Sequence, residues 1–391
     1  MKSLEIKGTD NLQQLEKALT ALSESQAGEE IRIHLARNLK MHLFKESRVV
    51  ALLATAAQRG RLVVKDWHNE WRPDDIPNYF RRSLGGFAAT VYATHVTNER
   101  AAEPSFGLKS IHEEVVRDGG ILEPYNVSDQ GLELVGKSLT FCAIDPEFAE
   151  PLTLAGLANE KSKFVNQFVA LKNTYLEQKR SDGTEDLFAG TSFAETPDHT
   201  LAAYVFELYQ NGFEHGRLSA DDKELPGLRF ISIRKHVAVS RDALFSYASG
   251  FPQLEEYLRH RTTVSPSLRF YEVSVSDQGL GMLRRFLAKR PEFSAEAASP
   301  EAKLRLLRRL LLESLTSKKG YPGAGFGLER ALTAIRALNG FVTLRTDSFW
   351  LYSSFADAQA AESPLQEVLS STQLARVAGT HFNALIPLRE P

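Results

Sequence analysis

Four polar side chains recur at helical spacing in the stretch LAAYVFELYQNGFEHGR, Leu201–Arg217: Glu207, Asn211, Glu214 and His215 stand at i, i+4, i+7 and i+8. Two carboxylates, an amide and an imidazole on one arc are donors ready for a metal ion. The opposite arc, with Leu201, Val205, Phe206, Leu208, Tyr209 and Phe213, is apolar, so the stretch predicts an amphipathic helix. A solvated face is the ordinary explanation of a polar arc. Such faces carry long Lys, Arg and Glu stems, however, and Asn is a mediocre helix former. An Asn placed mid-helix therefore implies a specific partner for its amide.

Two other runs have residue types that suit chemistry. In Phe270–Gly281, FYEVSVSDQGLG, Tyr271, Val273 and Val275 alternate as a strand that ends in Asp277, followed by Gly279 and Gly281. An ordinary turn uses the same residues. A functional turn would offer Asp277 to an exocyclic amine, with glycines clearing the space above it. Further on, in TSKKGYPGAGFGLERALTAIRALNG, Gly323, Gly325 and Gly327 punctuate a loop before the helical pattern of Leu328–Leu338. A glycine-rich loop opening a helix is a phosphate cradle, because backbone N–H groups face the anion. The Walker pattern is absent from the chain. The spacing G-x-G-x-G and the lack of a preceding strand also exclude a dinucleotide-binding fingerprint, so Asp347 at the end of FVTLRTD is not read as a ribose ligand.

The elements that must position these groups belong to a chain of 391 residues, long enough for two or three domains. A net charge of −2 gives no global field for nucleic acid or anionic membrane. The single cysteine, Cys142, lies in an apolar run and reads as a small core residue. No run approaches the ~18 apolar residues of a membrane span, and the start MKSLEIKGTD lacks a signal-peptide core, so a cytoplasmic protein is expected. Residues 1–100 read as an α/β region: strand Glu30–Leu35, helix Ser47–Gln58, strand Arg61–Lys65. The run FKESRVVALLATAAQRGRLVV resembles the helix and strand of STAS domains. Asp66, His68 and Glu70 in the Trp-rich segment lack a second ligand cluster and read as loop. Residues 101–197 form an intermediate region with a strand-like SLTFCAID, a helix near Lys161–Lys179 and a polar linker around Gly183. Gly119 and Gly120 end the helix of His112 within two turns, too short for the long continuous helix a phosphoacceptor histidine needs, and His112 is read as a surface residue.

Taken in order, E-x-x-x-N on a helix, D-x-G-x-G at a strand end and G-x-G-x-G opening a helix resemble the GHKL ATPases, the superfamily of gyrase, the heat-shock chaperone, histidine kinases and the mismatch-repair ATPase. The resemblance covers Asp198–Pro391 and includes GTHFNALIPL, Gly379–Leu388, which looks like the closing strand of that fold. It implies a Bergerat-type α/β sandwich at 198–391, a mixed sheet covered by helices on one face, with an ATP lid at 282–322. It implies ATP and Mg²⁺ as ligands. Asn211 matches the Mg²⁺-binding asparagine, with His215 beside it at the nucleotide, and Asp277 matches the adenine-reading aspartate with Gly279 and Gly281 as its turn. Gly323, Gly325 and Gly327 match the mobile phosphate loop, and Thr380 a threonine near the base. Glu207 matches the general base of the hydrolytic branches, though kinases of this superfamily also carry a glutamate there, and the ending FEHG resembles theirs. Lys318 or Lys319 would reach a γ-phosphate or serve as solvated lid charges; Arg305, Arg308 and Arg309 read as a charged helix flank. The expected activity is slow ATP hydrolysis that gates a conformational change or self-association, with an unknown protein partner. The alternatives are a protein kinase of the anti-sigma type and a nucleotide switch without turnover.

Overall fold

The structure is a computed structural model. It describes all residues except 36–42, 67–79, 81–82, 98–107, 119, 123–125, 128–133, 146–153, 155–159, 178–194, 239, 265–268, 314, 316–326, 357–364, 370–373 and 389–391. The chain is α/β, as expected, and is built on two sheets. The first is parallel, with strands β1 (Lys2–Ile6), β2 (Glu30–Leu35), β3 (Arg61–Asp66) and β4 (His95–Thr97) in sequential order. Helices α1 (Leu12–Ser23), α2 (Lys45–Arg59) and α3 (Leu84–Tyr92) connect them. Right-handed crossovers that always step in one direction put every connecting helix on one face of the sheet.

After helix α4 (Leu108–Arg117) the chain enters a second sheet through β5 (Ile121–Leu122), β6 (Asn126–Val127) and β7 (Leu134–Asp145). Helix α5 (Lys161–Lys172), prolonged by a π-helical turn to Glu177, leads to α6 (Glu195–Asn211), prolonged in the same way by Gly212–Gly216. Then come β8 (Gly227–Ala238), α7 (Arg241–Ala248), α8 (Pro252–Val264), β9 (Arg269–Asp277), α9 (Met282–Lys289), α10 (Pro300–Leu312) and α11 (Gly327–Ala337). Strands β10 (Phe341–Thr346), β11 (Phe349–Ser354), β12 (Gln366–Glu367) and β13 (Thr380–Pro387) close the sheet, in the order β12-β11-β10-β13-β9-β8-β7-β5, with β6 on β7.

This sheet departs from the expected mixed one. Each pairing described in it is antiparallel, and β10 and β11 form a hairpin turned at Asp347, whose φ is +50°. It also begins well before residue 198, since β7 pairs with β8 from Leu134↔Ala238 to Asp145↔Gly227. Helices cover both faces, not one. Alternation along β9 decides which: Tyr271, Val273 and Val275 meet α5, α6 and α11, whereas Phe270 joins the core made by α2, α3, α7 and α8. The result is four layers, with α2 buried between two sheets. That explains its composition, since Val49 to Ala54 is apolar all round and no residue there exceeds 1 % exposure.

The first turn of α2 is polar and equally buried. Glu46 pairs with Arg234, Ser47 lies 3.4 Å from the Ser276 hydroxyl, and Lys45 donates to the carbonyls of Lys7 and Gly8. Across the same boundary the Arg48 guanidinium stacks 4.7 Å from the Trp350 ring centre. Residue 44 precedes the helix at φ +66°, and its N–H donates to the buried Glu272 carboxylate, which His236 also contacts at 2.8 Å. At the end of α3 the Tyr92 hydroxyl accepts from Leu228 N at 2.6 Å. Tyr92→Phe leaves that fully buried N–H unpaired and is expected to lower stability by about 1–3 kcal/mol. A urea midpoint equal to wild type would remove this bond from the inter-layer contacts.

Sequence positions outside the site behave simply. Cys142 is buried, which pushes its thiol up and fits a core role. His112 is only half-buried, with its ring edge on Phe87 and Nε2 3.1 Å from Thr90 Oγ1. Arg308 donates to Leu365 O, and Arg309 bonds Glu296 and Glu313, so both are engaged within the fold. His68, Glu70 and the linker around Gly183 lie outside the described residues. Among the described residues no helix is long and apolar enough to cross a membrane.

Candidate functional site

The predicted helix ends in its own site. Up to Asn211 it is a regular α-helix whose apolar arc buries Leu201, Val205, Phe206, Leu208 and Tyr209; over GFEHG it widens into a π turn. The wider turn brings His215 and Gly216 over the end of β9. A cavity of about 130 Å³ opens there, several times the volume one water requires. It is bounded by segments far apart in the chain: Asn211, His215 and Gly216 from the helix, Arg229 from β8, Asp277 from β9, Gly281, Met282 and Arg285 at the start of α9, Gly327 from α11 and Thr380 from β13.

At the cavity floor Asp277 is 8 % exposed, and its Oδ1 accepts from Gly279 N at 3.1 Å and Thr380 N at 3.2 Å. Burial pushes its carboxyl up from 3.8 to about 7, against the pull of those two N–H groups and of Arg229. Arg229 is held by a bidentate pair with Asp145, Nε to Oδ2 at 2.7 Å and Nη2 to Oδ1 at 2.9 Å. With Oδ1 committed to the backbone, Oδ2 is the oxygen that faces the helix end. There Gly216 lies so close that a Cβ on it would stand 2.5 Å from Oδ2 and 2.3 Å from the carboxyl carbon. Gly379 completes the support at φ +74°, where a Cβ would stand 1.9 Å from Asp277 O.

Asn211 explains its own mid-helix cost. Its Nδ2 donates to Glu207 O at 2.7 Å, which leaves the amide oxygen as the group offered to the cavity. Gly327 starts α11 against both residues, since a Cβ there would lie 3.0 Å from Glu207 Oε2 and 3.4 Å from Asn211 Nδ2. Glu207, in contrast, is not among the cavity's described lining residues. It is 5 % exposed, and its Oε1 accepts from Lys161 Nζ of α5 at 2.6 Å. Lys318, Lys319, Gly323 and Gly325 lie outside the described residues. The segment expected as a lid is, over 282–313, two helices with short 3₁₀ turns between them, and Leu283, Phe286, Leu307, Leu310 and Leu311 anchor it in the core. Its first turn hangs from β10 and the turn after it: Met282 N donates to Thr346 Oγ1 at 3.0 Å and Leu283 N to Asp347 Oδ2 at 3.1 Å. Asp347 is thus a cap for α9.

The sequence pattern thus brings together Asn211, His215, Asp277, Gly281, Gly327 and Thr380 at one cavity, with Gly279 bonding Asp277 from behind. Arg229, Gly216, Gly379 and Lys161 are additional. Of these, Gly216 and Gly379 were within the quoted motif runs; Arg229 and Lys161 have no local signal. Among the described residues no three His, Cys, Asp or Glu side chains gather into a metal site. A cation at Asn211 would therefore need its remaining oxygens from a ligand, which suits Mg²⁺ held through phosphates. Comparison with protein-family models, curated proteins and solved structures finds no match to this chain.

Proposed function

We propose that the chain is a GHKL-type, Mg²⁺-dependent ATP-binding protein that hydrolyses ATP to drive a conformational or association switch. The observation that carries this reading is the convergence of an amide oxygen, a floor carboxylate backed by glycines, and a glycine that opens a helix on one cavity from four separate segments. Asp277 would take the adenine amine through Oδ2, Asn211 would offer its oxygen to the cation, and the α11 N-terminus with Gly327 would face the phosphates. Bound Mg²⁺ would neutralise charge that develops on the transferred phosphoryl group. Arg229 and Arg285 line the cavity with their charges compensated, the first by Asp145 and the second by Asp222 at 2.5 Å. Glu207 would take a proton from water as the water oxygen bonds to the γ-phosphorus; the bond to the bridging oxygen breaks and its electron pair leaves with ADP.

The test follows γ-labelled ATP with Mg²⁺ and scores free phosphate and protein-bound label together, for wild type, Glu207→Ala and Asn211→Ala. Binding lost in Asn211→Ala and free phosphate lost in Glu207→Ala are expected. Label on protein would replace hydrolysis by transfer to a partner, as in the kinase alternative. Binding without either product would leave a nucleotide switch, and no binding at all would overturn the proposal.

A further inference from the structure

Glu207 is gripped by helices other than its own. Lys161 opens α5 and puts Nζ 2.6 Å from Oε1, with its ammonium 5.6 Å from the centre of the Phe206 ring. From α11, Arg330 Nη1 reaches to 3.9 Å of the same oxygen, and Gly327 closes on Oε2. Exposure is asymmetric: the Glu207 side chain is 6 % exposed, Lys161 45 % and Arg330 61 %. The buried carboxylate is held by these contacts, whereas the lysine reaches in from the surface on a flexible stem and can leave without burying its charge. The far end of α5 is fixed, since Lys172 is 1 % exposed and lies 3.1 Å from Asp198. Separation of Lys161 from Glu207 therefore needs only a side-chain rotation, with α5 in place.

We infer that Lys161 is a positioning residue that restrains Glu207: while the pair stands, the carboxylate faces α5 and α11, and turnover waits on its release. This rests on the reading of the cavity as an ATP site. It gives the switch a built-in brake, because the group placed to activate water is held outside the cavity until another anion claims the ammonium. The terminal phosphate of a bound nucleotide is such an anion, carrying more charge than a carboxylate.

The experiment compares wild type, Lys161→Met and Lys161→Arg by ATP binding, by turnover at saturating Mg²⁺–ATP and by the dependence of turnover on KCl. Lys161→Met is expected to raise kcat about fivefold, the weight of a half-exposed ion pair, with the Kd for ATP within about twofold of wild type. Added salt should raise wild-type turnover by screening the pair and leave Lys161→Met flat. Lys161→Arg keeps the charge and should behave as wild type. A merely structural lysine would change none of the salt dependence. Turnover in Lys161→Met equal to or below wild type would overturn the restraint alone; turnover absent in both despite ATP binding would overturn the restraint together with hydrolysis, leaving a nucleotide switch. Failure of the wild type to bind ATP would overturn the cavity reading and the restraint with it.

Discussion

Asp277→Asn is expected to make the ligand-free protein more stable at pH 8 while weakening ATP binding. Burial raises the Asp277 carboxyl to about 7 from its ordinary 3.8, so between those values the folded state holds a proton that the unfolded chain releases. Stability from this group is full below 3.8, declines as pH rises through the window, and is gone above about 7. At pH 8 the protein carries a buried carboxylate at a cost of up to about 4 kcal/mol. Asn retains an oxygen for Gly279 N and Thr380 N and removes the charge, so urea unfolding at pH 8 should show a gain of a few kcal/mol that shrinks to nothing by pH 4. The same substitution takes from adenine a charged acceptor, worth about 10- to 100-fold in affinity. Because the ionised form accepts from an amine, wild-type affinity should also rise about tenfold between pH 6 and pH 8. Affinity that is flat across that range and unchanged in Asp277→Asn would show that Asp277 is not the base reader proposed. If Asp277→Asn is less stable than wild type at pH 8, the burial of charge at the cavity floor has been misjudged.

What the sequence made legible is local. Asp277 ending an alternating strand, Asn211 one turn after Glu207, and a glycine at the head of α11 are patterns contained within a dozen residues each, and all three sit where those patterns put them. Element types followed too: β9 ends at Asp277, α11 falls within a residue of its apolar periodicity, and the closing strand runs Thr380–Pro387. What could not be read depends on partners remote in the chain. Arg229 was one position in a strand of alternating character, and its meaning comes from Asp145, 84 residues earlier. Lys161 was a charge at the start of a polar helix, and only packing against α6 brings it to Glu207. The first turn of α2, Lys45 to Arg48, has the composition of a solvated helix start. Its burial follows from complementary charges on β8 and α1, Arg234 for Glu46 and Glu16 for Arg48, which no periodicity within α2 reveals. The same holds for the sheet: hydrophobic alternation marks strands, but their partners and directions are set by loops and helices between them.

The layer beneath that sheet supplies the larger structural prediction. Glu16 of α1 is 4 % exposed and receives Arg345 of β10, Nε at 3.1 Å from Oε1 and Nη2 at 3.1 Å from Oε2, while Arg48 of α2 lies 3.3 Å from Oε1. Burial opposes its ionisation, yet the two guanidiniums prevail and hold its carboxyl below 4.5. The nearby His381 adds no charge, since burial pushes it down to about 3. Glu16→Ala therefore strands two arginines, 0 % and 2 % exposed, without their shared anion. The expected loss is about 3–5 kcal/mol in urea unfolding at pH 7. Protonating Glu16 has the same effect: the stability it contributes is present above 4.5 and lost as pH falls through its lower folded value, so the gap between wild type and Glu16→Ala should narrow on acidification. Adding Arg48→Met to Glu16→Ala should recover part of the loss, because the apolar stem packs on Trp350 where the guanidinium now stacks. Arg345 also donates to Asp347 O at 2.6 Å, and Asp347 caps α9 at the mouth of the cavity. If the triad is what registers the parallel-sheet layer against the cavity, the double variant should regain stability before it regains ATP affinity. A loss below about 1 kcal/mol in Glu16→Ala would show that the apolar contacts of α2 carry the boundary unaided.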